Sequence, residues 1–348
     1  MSEKILDKTR LNAFLDTVKK DFAVWVPAER NGIVDFRPHD ADTPPELTRR
    51  ARASTKKFFQ PQRETLFCFA GQGFAAPCVE CADVPPPGKT AVFGVRPCDA
   101  RAMVLDALVF VDDPANPHED EFFRQRRDDT VLFGLGCKTP GGACFCNRTG
   151  GDPFGEDGLD VIFTELSDAF LVKPLTEKGE KAIAGFPLEA AGQAAIESAS
   201  KAAGKARASM ADGLDFARIA ALDVNLLFEL PLWDETAEYC LNCGVCTYLC
   251  PTCICFDVLD QTNSQGGKRL RTWDSCMSAQ FTLHASGHNP RPTGRERVRQ
   301  RFLHKLKYFL DVHDGRVSCV GCGRCVQHCP VNIDIREIAE RMASAVSA

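Results

Sequence analysis

The sequence reads CLNCGVCTYLCP at residues 240–251 and CVGCGRCVQHCP at residues 319–330. Both stretches follow the pattern C-x2-C-x2-C-x3-C-P, so the last third of the chain contains an internal duplication. A cluster of four irons and four sulfides is held by four thiolates that approach from different directions, and one loop with three closely spaced cysteines supplies three of them. Where two such runs occur, the fourth cysteine of each run binds the other cluster. The duplicated pattern therefore predicts two 4Fe–4S clusters.

Under this crosswise rule, in which the fourth cysteine of each run binds the other cluster, the eight cysteines form two sets of ligands. The first set is Cys240, Cys243, Cys246 and Cys329, and the second set is Cys319, Cys322, Cys325 and Cys250. Gly244 and Gly323 allow the backbone to approach a cluster closely. Structural zinc is the alternative, but zinc sites usually use two separated C-x2-C pairs and rarely three cysteines at successive steps of three. The two complete runs therefore favour iron and sulfide over zinc.

Length and composition indicate a globular protein of about two domains: 348 residues, 44% of them hydrophobic and 26% charged. The net charge of −5 gives no reason to expect nucleic acid or an anionic membrane as a partner. Residues 1–16 lack the apolar run of a secretory signal, and no stretch approaches the roughly 18 apolar residues of a membrane span. We expect a cytoplasmic protein, where tightly spaced cysteines are metal ligands or redox groups before they are disulfides.

The patterns predict three regions: an α/β domain over residues 1–175, a helical connector over 176–230 and a domain with two 4Fe–4S clusters over 231–348. Short apolar runs in the first region predict buried strands: TLFCFA (65–70), TAVFGV (90–95), TVLFGL (130–135), DVIFTEL (160–166) and AFLVKPL (169–175). Helical periodicity in residues 100–110, between the second and third of these runs, indicates a βαβ unit. The connector is rich in Ala and Lys and is broken at Pro187.

The cluster domain is predicted to be mainly helical, of the alpha-helical ferredoxin type. The two cysteine runs lie far apart, and the segment between them contains an amphipathic helix in residues 291–310 with Val298, Phe302, Leu306 and Leu310 on one face. Arg297, Arg301 and Lys305 also lie at four-residue steps on this helix. A solvated surface explains these cations simply; the alternatives are that they face an anionic partner, a flavin phosphate or the clusters themselves.

Ten further cysteines belong to neither set of ligands. Cys98, Cys137, Cys144 and Cys146 lie near the carboxyl ends of predicted strands, where α/β folds place their binding crevices. They are candidate ligands of a third cluster or another metal; the alternatives are unligated core thiols or a nucleophilic Cys98. Cys253, Cys255 and Cys276 either add ligands or pack as small buried hydrophobic residues. Cys68, Cys78 and Cys81 form no complete set of ligands, and we expect them to be structural.

Several elements together resemble one family, the iron–sulfur beta subunit of hydrogenase/sulfur reductase (sulfhydrogenase), with the related iron–sulfur subunit of anaerobic sulfite reductase. The elements that carry the resemblance are FGVRPCDARA (93–102), GC…CFC (136–146), CLNCGVCTYLCPTCICFD (240–257), RTWDSC (271–276), GHNPR (287–291) and CVGCGRCVQHCPVNIDI (319–335). The resemblance implies an electron-transfer protein with two ferredoxin-like 4Fe–4S clusters. Its implied partners are an FAD- and NAD(P)-binding subunit of the diaphorase type and a catalytic redox subunit with nickel–iron or sirohaem.

Three functions are consistent with these patterns. The first is a relay that passes single electrons while the substrate chemistry resides on partner subunits. The second is an oxidoreductase subunit whose α/β domain binds its own substrate, or an additional cluster, near Cys98 and Asp99. The third is a zinc-stabilised interaction protein. No Walker loop is present and no G-x-G-x-x-G follows a predicted strand, so the sequence gives no sign of a nucleotide held by this chain.

Overall fold

The computed structural model describes residues 2–70, 88–111, 118–211, 213–214, 216–263 and 266–345. Within these residues the strands are β1 (Lys4–Asp7), β2 (Ala23–Arg30), β3 (Ile33–Pro38), β4 (Arg63–Ala70), β5 (Thr90–Val95), β6 (Thr130–Leu135), β7 (Val161–Glu165), β8 (Ala169–Pro174), β9 (Glu189–Ala190), β10 (Phe256–Asn263) and β11 (Gly266–Trp273). The helices are α1 (Leu11–Val18), α2 (Lys56–Phe59), α3 (Pro97–Phe110), α4 (Glu121–Asp129), α5 (Glu177–Ile183), α6 (Gln193–Ala208), α7 (Phe216–Ala221), α8 (Val224–Phe228), α9 (Leu232–Tyr239), α10 (Val245–Tyr248), α11 (Gly294–Leu303), α12 (Phe309–Val312), α13 (Arg324–Gln327) and α14 (Ile335–Ala343).

The amino-terminal half is built on an eight-stranded sheet with the order β3-β2-β5-β6-β7-β8-β1-β9. The strands β2, β5, β6 and β7 are parallel to one another, and β8 returns antiparallel to β7. The predicted βαβ unit is confirmed as β5-α3-β6. Four of the five predicted strands therefore lie in this sheet. The fifth, at 65–70, forms a strand in a different sheet.

Both faces of the central strands are buried, because successive side chains point to opposite sides of the sheet. Phe93, Phe133 and Phe163 pack on one face, in a core that includes residues of α1. Val92 and Leu132 pack on the other face, in a core that includes residues of α3 and α4. The second core also contains Val320 and Cys322 from the carboxyl-terminal cysteine run, so the cluster domain packs directly against this side of the sheet.

The strand β4 pairs with β11, and β10 and β11 form an antiparallel hairpin. A buried ion pair joins the outer strand to the hairpin: Arg271 Nη2 lies 2.6 Å from Glu64 Oε2. The region between the two cysteine runs is therefore not wholly helical, because two eight-residue strands precede its helices. The apolar run at 65–70 predicts a strand, but it carries no information about which partner that strand has.

The amphipathic helix is confirmed, and its helical residues run without a break from Gly294 to Val312. Thr293 and Glu296 form a capping box at its start. A π-helical turn over His304–Tyr308 separates α11 from α12. All four apolar residues predicted for the buried face are buried: Val298, Phe302, Leu306 and Leu310.

The connector between the two larger regions contains the helices α5 to α8. Its predicted break at Pro187 falls between α5 and α6, and the short strand β9 follows it and joins the edge of the sheet beside β1. In the part of the chain that the structure describes, no helix is long and apolar enough to cross a membrane.

Candidate metal centres

The two cysteine runs adopt the same backbone conformation. Asn242 and Gly321 occupy equivalent positions two residues after the first cysteine of each run, and both have a positive φ, of 52° and 60°. Two residues further on, Gly244 and Gly323 are again left-handed, with φ of 72° and 73°. Each run then enters a short helix, α10 or α13. Alternation of left- and right-handed residues turns successive backbone N–H groups toward one point, which suits a negatively charged group.

Two neighbouring cavities receive the cysteines of these runs. The first cavity encloses about 550 Å³ of empty space, including its mouth, and the second about 300 Å³. The cysteines that line the first cavity are Cys240, Cys243, Cys246, Cys325 and Cys329. The cysteines that line the second cavity are Cys250, Cys319, Cys322 and Cys325. The structure thus brings each crosswise set of four together, with Cys325 on the wall that the cavities share.

Buried thiols in these cavities resist ionisation unless a cation balances them. Burial raises the pKa of Cys319 to about 12 and also raises the pKa values of Cys240 and Cys325. A hydrogen bond with the Cys253 thiol lowers the pKa of Cys250 well below its usual value. Ligation by iron would take the place of the thiol proton, so loading of these cavities would release protons.

Two cations of the amphipathic helix face the cavities. Arg301 and Lys305 are each 5% exposed, so a solvated surface does not explain them. Arg301 Nε donates to Cys246 Sγ over 2.9 Å. Lys305 lines the second cavity, where burial would lower its pKa but the nearby sulfur atoms of Cys250 and Cys253 outweigh this effect and raise it. The sequence leaves several roles open for the basic residues of this helix. The positions of Arg301 and Lys305 fit the role in which they face the clusters.

The residues present fit a cluster in each cavity. Each cavity offers at least four thiol groups, a buried cation and a backbone donor: Gly321 N–H donates to Cys319 Sγ over 3.4 Å, and Ile333 N–H to Cys329 Sγ over 3.3 Å. Within the described ranges, no three His, Cys, Asp or Glu side chains are arranged to hold a single metal ion. A four-iron cluster makes a different demand, because its irons keep the thiolates apart and require a cavity between them.

The four cysteines of the α/β domain also meet. Cys98, Cys137, Cys144 and Cys146 line one large, open cleft of about 1750 Å³, counting its solvent, beyond the carboxyl ends of β5 and β6. The side chain of Arg50 enters this cleft: its Nη1 lies 3.7 Å from Cys144 Sγ and also donates to the carbonyl oxygen of Cys322. The cleft is therefore adjacent to the second cavity, since Cys322 lines both.

The thiol of Cys98 does not have the properties of an activated nucleophile. Burial raises its pKa well above the ordinary value, and the neighbouring carboxylate of Asp99 acts in the same direction. Burial also raises the pKa of Cys137, and it raises the pKa of Cys146 to about 12. Both carboxylate oxygens of Asp99 accept hydrogen bonds from Arg324, over 2.5 and 2.7 Å, so this carboxylate is occupied by an ion pair. These observations disfavour general acid–base or nucleophilic chemistry at this corner.

The remaining cysteines lie outside the two cavities among the described residues. Cys253 is paired with Cys250, and Cys255 with Cys276, through thiol hydrogen bonds. Cys68 lies on β4 opposite Lys268, at a shallow surface depression of the three-stranded sheet. The predictions for Cys78 and Cys81 concern residues outside those that the structure describes.

Sequence reasoning missed the ion pair that joins the two halves of the molecule. Arg324 is fully buried, and it donates to the carbonyl oxygens of Arg52 and Ala51 as well as to Asp99. The only signal in the sequence is an acidic residue after the cysteine of RPCDARA and a basic residue between the cysteines of CGRC. Because Asp99 and Arg324 are far apart in the chain, the sequence does not indicate that they pair.

Comparisons with known proteins agree with this geometry. The family model described as a 4Fe-4S dicluster domain matches residues 239–333, which include both cysteine runs. The chain is 30% identical over 327 residues to a protein named sulfhydrogenase 2 subunit beta from Pyrococcus furiosus, and the alignment covers 92% of each chain. No solved structure matches the chain.

Proposed function

Because the chain belongs to the family of sulfhydrogenase beta subunits, we propose that it relays single electrons between partner subunits of a cytoplasmic oxidoreductase. One observation carries this proposal: the eight cysteines of the duplicated runs line two cavities that share a wall. Electron transfer between redox groups requires that they lie close together, and cavities that share a wall meet this requirement.

The proposed ligands of the first cluster are Cys240, Cys243, Cys246 and Cys329, and those of the second are Cys250, Cys319, Cys322 and Cys325. A bound 4Fe–4S cluster takes up and releases one electron at a time. The protein holds the thiolates in place, excludes water with apolar side chains such as Phe302 and Phe145, and balances negative charge with buried cations. Solvent access differs between the two sites, because Cys243 is exposed whereas Cys319 and Cys322 are buried.

We propose that the electrons come from, or go to, a subunit that binds FAD and NAD(P), and that a separate catalytic subunit carries out the substrate chemistry. The name of the Pyrococcus relative supports an assembly of several subunits, since it designates a beta subunit. The described cavities support a relay, because both are lined by cysteines and apolar side chains. We further propose that residues 1–175, 176–230 and 231–348 are the structural units of this chain.

A third iron–sulfur cluster, held by Cys98, Cys137, Cys144 and Cys146, is a second proposal. It is favoured by the convergence of all four thiols on the cleft that borders the second cavity. Four arginines also line this cleft and would balance the charge of an anionic cluster: Arg49, Arg50, Arg52 and Arg96. Such a cluster would extend the relay from the cluster domain into the α/β domain.

The chain purified alone under anaerobic conditions tests these proposals. We expect brown protein that contains iron and acid-labile sulfide, is bleached by dithionite and accepts electrons from reduced viologen without converting a substrate. Two clusters' worth of iron supports the relay alone, and three clusters' worth supports the additional site. Colourless protein with zinc and no sulfide, or turnover of a substrate by the isolated chain, would overturn the relay.

A further inference from the structure

Arg301 lies between the two cavities and lines both of them. Its guanidinium is anchored on the first cysteine run, where Nε donates to Cys246 Sγ over 2.9 Å and Nη2 donates to the carbonyl oxygen of Cys246 over 3.3 Å. The third nitrogen, Nη1, is buried and has no hydrogen-bond partner among the described residues. The helix α11 thus presents a fixed cation to the space between the cavities, and the two N–H groups of its Nη1 have no partner among the described residues.

This arrangement is costly unless a negatively charged group faces it. An arginine is always protonated in a protein, and a buried charge without a partner destabilises the fold. Burial acts against the charged form of Arg301, but the neighbouring sulfur atoms of Cys246, Cys325, Cys253 and Cys250 favour it and raise the pKa of Arg301 above its ordinary value. A sulfur atom of a bound cluster would supply the acceptor that Nη1 lacks.

Lys305, the neighbouring buried cation, differs from Arg301 in its hydrogen-bond partners. Lys305 Nζ has three donors, and it has three acceptors within reach: Thr252 Oγ1 at 2.9 Å, the Ser318 carbonyl at 2.8 Å and the Thr252 carbonyl at 3.3 Å. Lys305 therefore contributes charge near the second cavity but has no donor left for a cluster. Arg301 contributes both charge and a free donor.

We propose that Arg301 sets the reduction potentials of the two clusters, by donating a hydrogen bond to a sulfur of the first and by placing a fixed positive charge beside both. This inference rests on the proposed relay. Reduction adds a negative charge to a cluster, so a nearby cation and an N–H donor stabilise the reduced form and raise the potential. The effect is largest at the first cluster, because the guanidinium contacts Cys246.

Redox titration of the full-length, cluster-loaded chain, followed by electron paramagnetic resonance, tests the proposal. We expect Arg301→Gln to weaken reduction of the first cluster at least about tenfold, a fall in midpoint potential of about 59 mV for one electron, with a smaller fall at the second. Arg301→Lys keeps the charge and retains most of the potential. The matched control is Arg299→Gln on the same helix, because Arg299 packs its guanidinium 3.3 Å from the Phe228 ring centre and should leave both potentials unchanged.

Unchanged potentials in fully loaded Arg301→Gln protein would overturn the proposal. If the neutral variant does not load, native protein labelled with 15N-arginine decides the question by pulsed electron paramagnetic resonance. A nitrogen coupling to the reduced first cluster that is absent from Arg301→Lys supports the contact, and its absence from native protein refutes it. Failure of the proposed relay gives a different result from failure of the Arg301 proposal, because the native protein would then contain no acid-labile sulfide.

Discussion

At the scale of single residues, each proposed cluster has its own test. Cys243→Ser removes a ligand from the first cavity and Cys322→Ser removes one from the second. Each variant should lose one cluster's worth of iron and block electron flow from viologen to a partner subunit, because a hydroxyl is a poor substitute for thiolate. Iron and sulfide analysis of anaerobically purified protein measures this.

Cys68→Ser is the matched control for this prediction. It removes a thiol from β4, at the surface of the three-stranded sheet, and should leave the iron content unchanged. Full iron content in Cys243→Ser or Cys322→Ser protein would contradict the assignment of that ligand. Equal iron loss in all three variants would indicate a general effect on folding.

The residues around the clusters were predictable to different degrees. Spacing alone identified the eight cysteines that line the two cavities, because a loop with cysteines at steps of three is a local pattern. The four-residue spacing of Arg297, Arg301 and Lys305 left several roles open, a solvated surface, an anionic partner, a flavin phosphate or the clusters, and the sequence did not distinguish among them. The pairing of Asp99 with Arg324 was not predictable, since it depends on how distant segments pack.

At the scale of elements, the contact between the segment 143–146 and the second cysteine loop depends on glycine. A Cβ atom at Gly323 would overlap the backbone of Ala143, and one at Gly321 would overlap the backbone of Phe145. Phe145 N–H donates to the Gly321 carbonyl over 2.8 Å, and its side chain lines the second cavity. The close approach of two backbones thus closes one wall of that cavity.

We expect Gly323→Ala to destabilise the protein and to make the second cluster labile, because it adds both backbone strain and a steric overlap. Gly315→Ala is the control: its φ of +76° resembles the +73° of Gly323, but nothing lies within 4 Å of its Cβ position. The control should cost only the strain, about 1–2 kcal/mol. Thermal unfolding and iron retention measure the difference, and equal behaviour of the two variants would contradict the role of the contact.

Periodicity predicted the elements better than their pairing. The strands of the central sheet and the helix that begins at Gly294 follow from apolar spacing, which is a local property. The hairpin of β10 and β11 was missed because β10 is largely exposed and has no alternation of buried residues. The partner of β4 was missed because local sequence patterns do not indicate which distant strands pair.

At the scale of the whole molecule, the buried pair of Asp99 and Arg324 ties the α/β half to the cluster half. Asp99→Asn leaves the Arg324 guanidinium buried without its counter-charge, so we expect a loss of about 3–5 kcal/mol in the free energy of unfolding. Chemical denaturation of the variant and the native chain measures it. Asn retains the size of Asp, so this loss reports charge and not packing.

Glu235→Gln provides the comparison for this loss. Glu235 pairs with Arg341 over 2.6 Å, but the two side chains are 55% and 40% exposed. Solvent screens this pair, and its loss should cost less than about 1 kcal/mol. Equal costs for Asp99→Asn and Glu235→Gln would show that the buried pair does not hold the halves together.

The wall that Phe145 adds to the second cavity also constrains biogenesis. Phe145 comes from the amino-terminal half, whereas the ligands of that cavity come from the carboxyl-terminal half and are synthesised last. With Phe145 in place, residues of both halves of the chain wall this cavity. If this cavity holds a cluster, we therefore expect the inorganic core to enter while the halves are still apart, and the docking of the halves to enclose it afterwards.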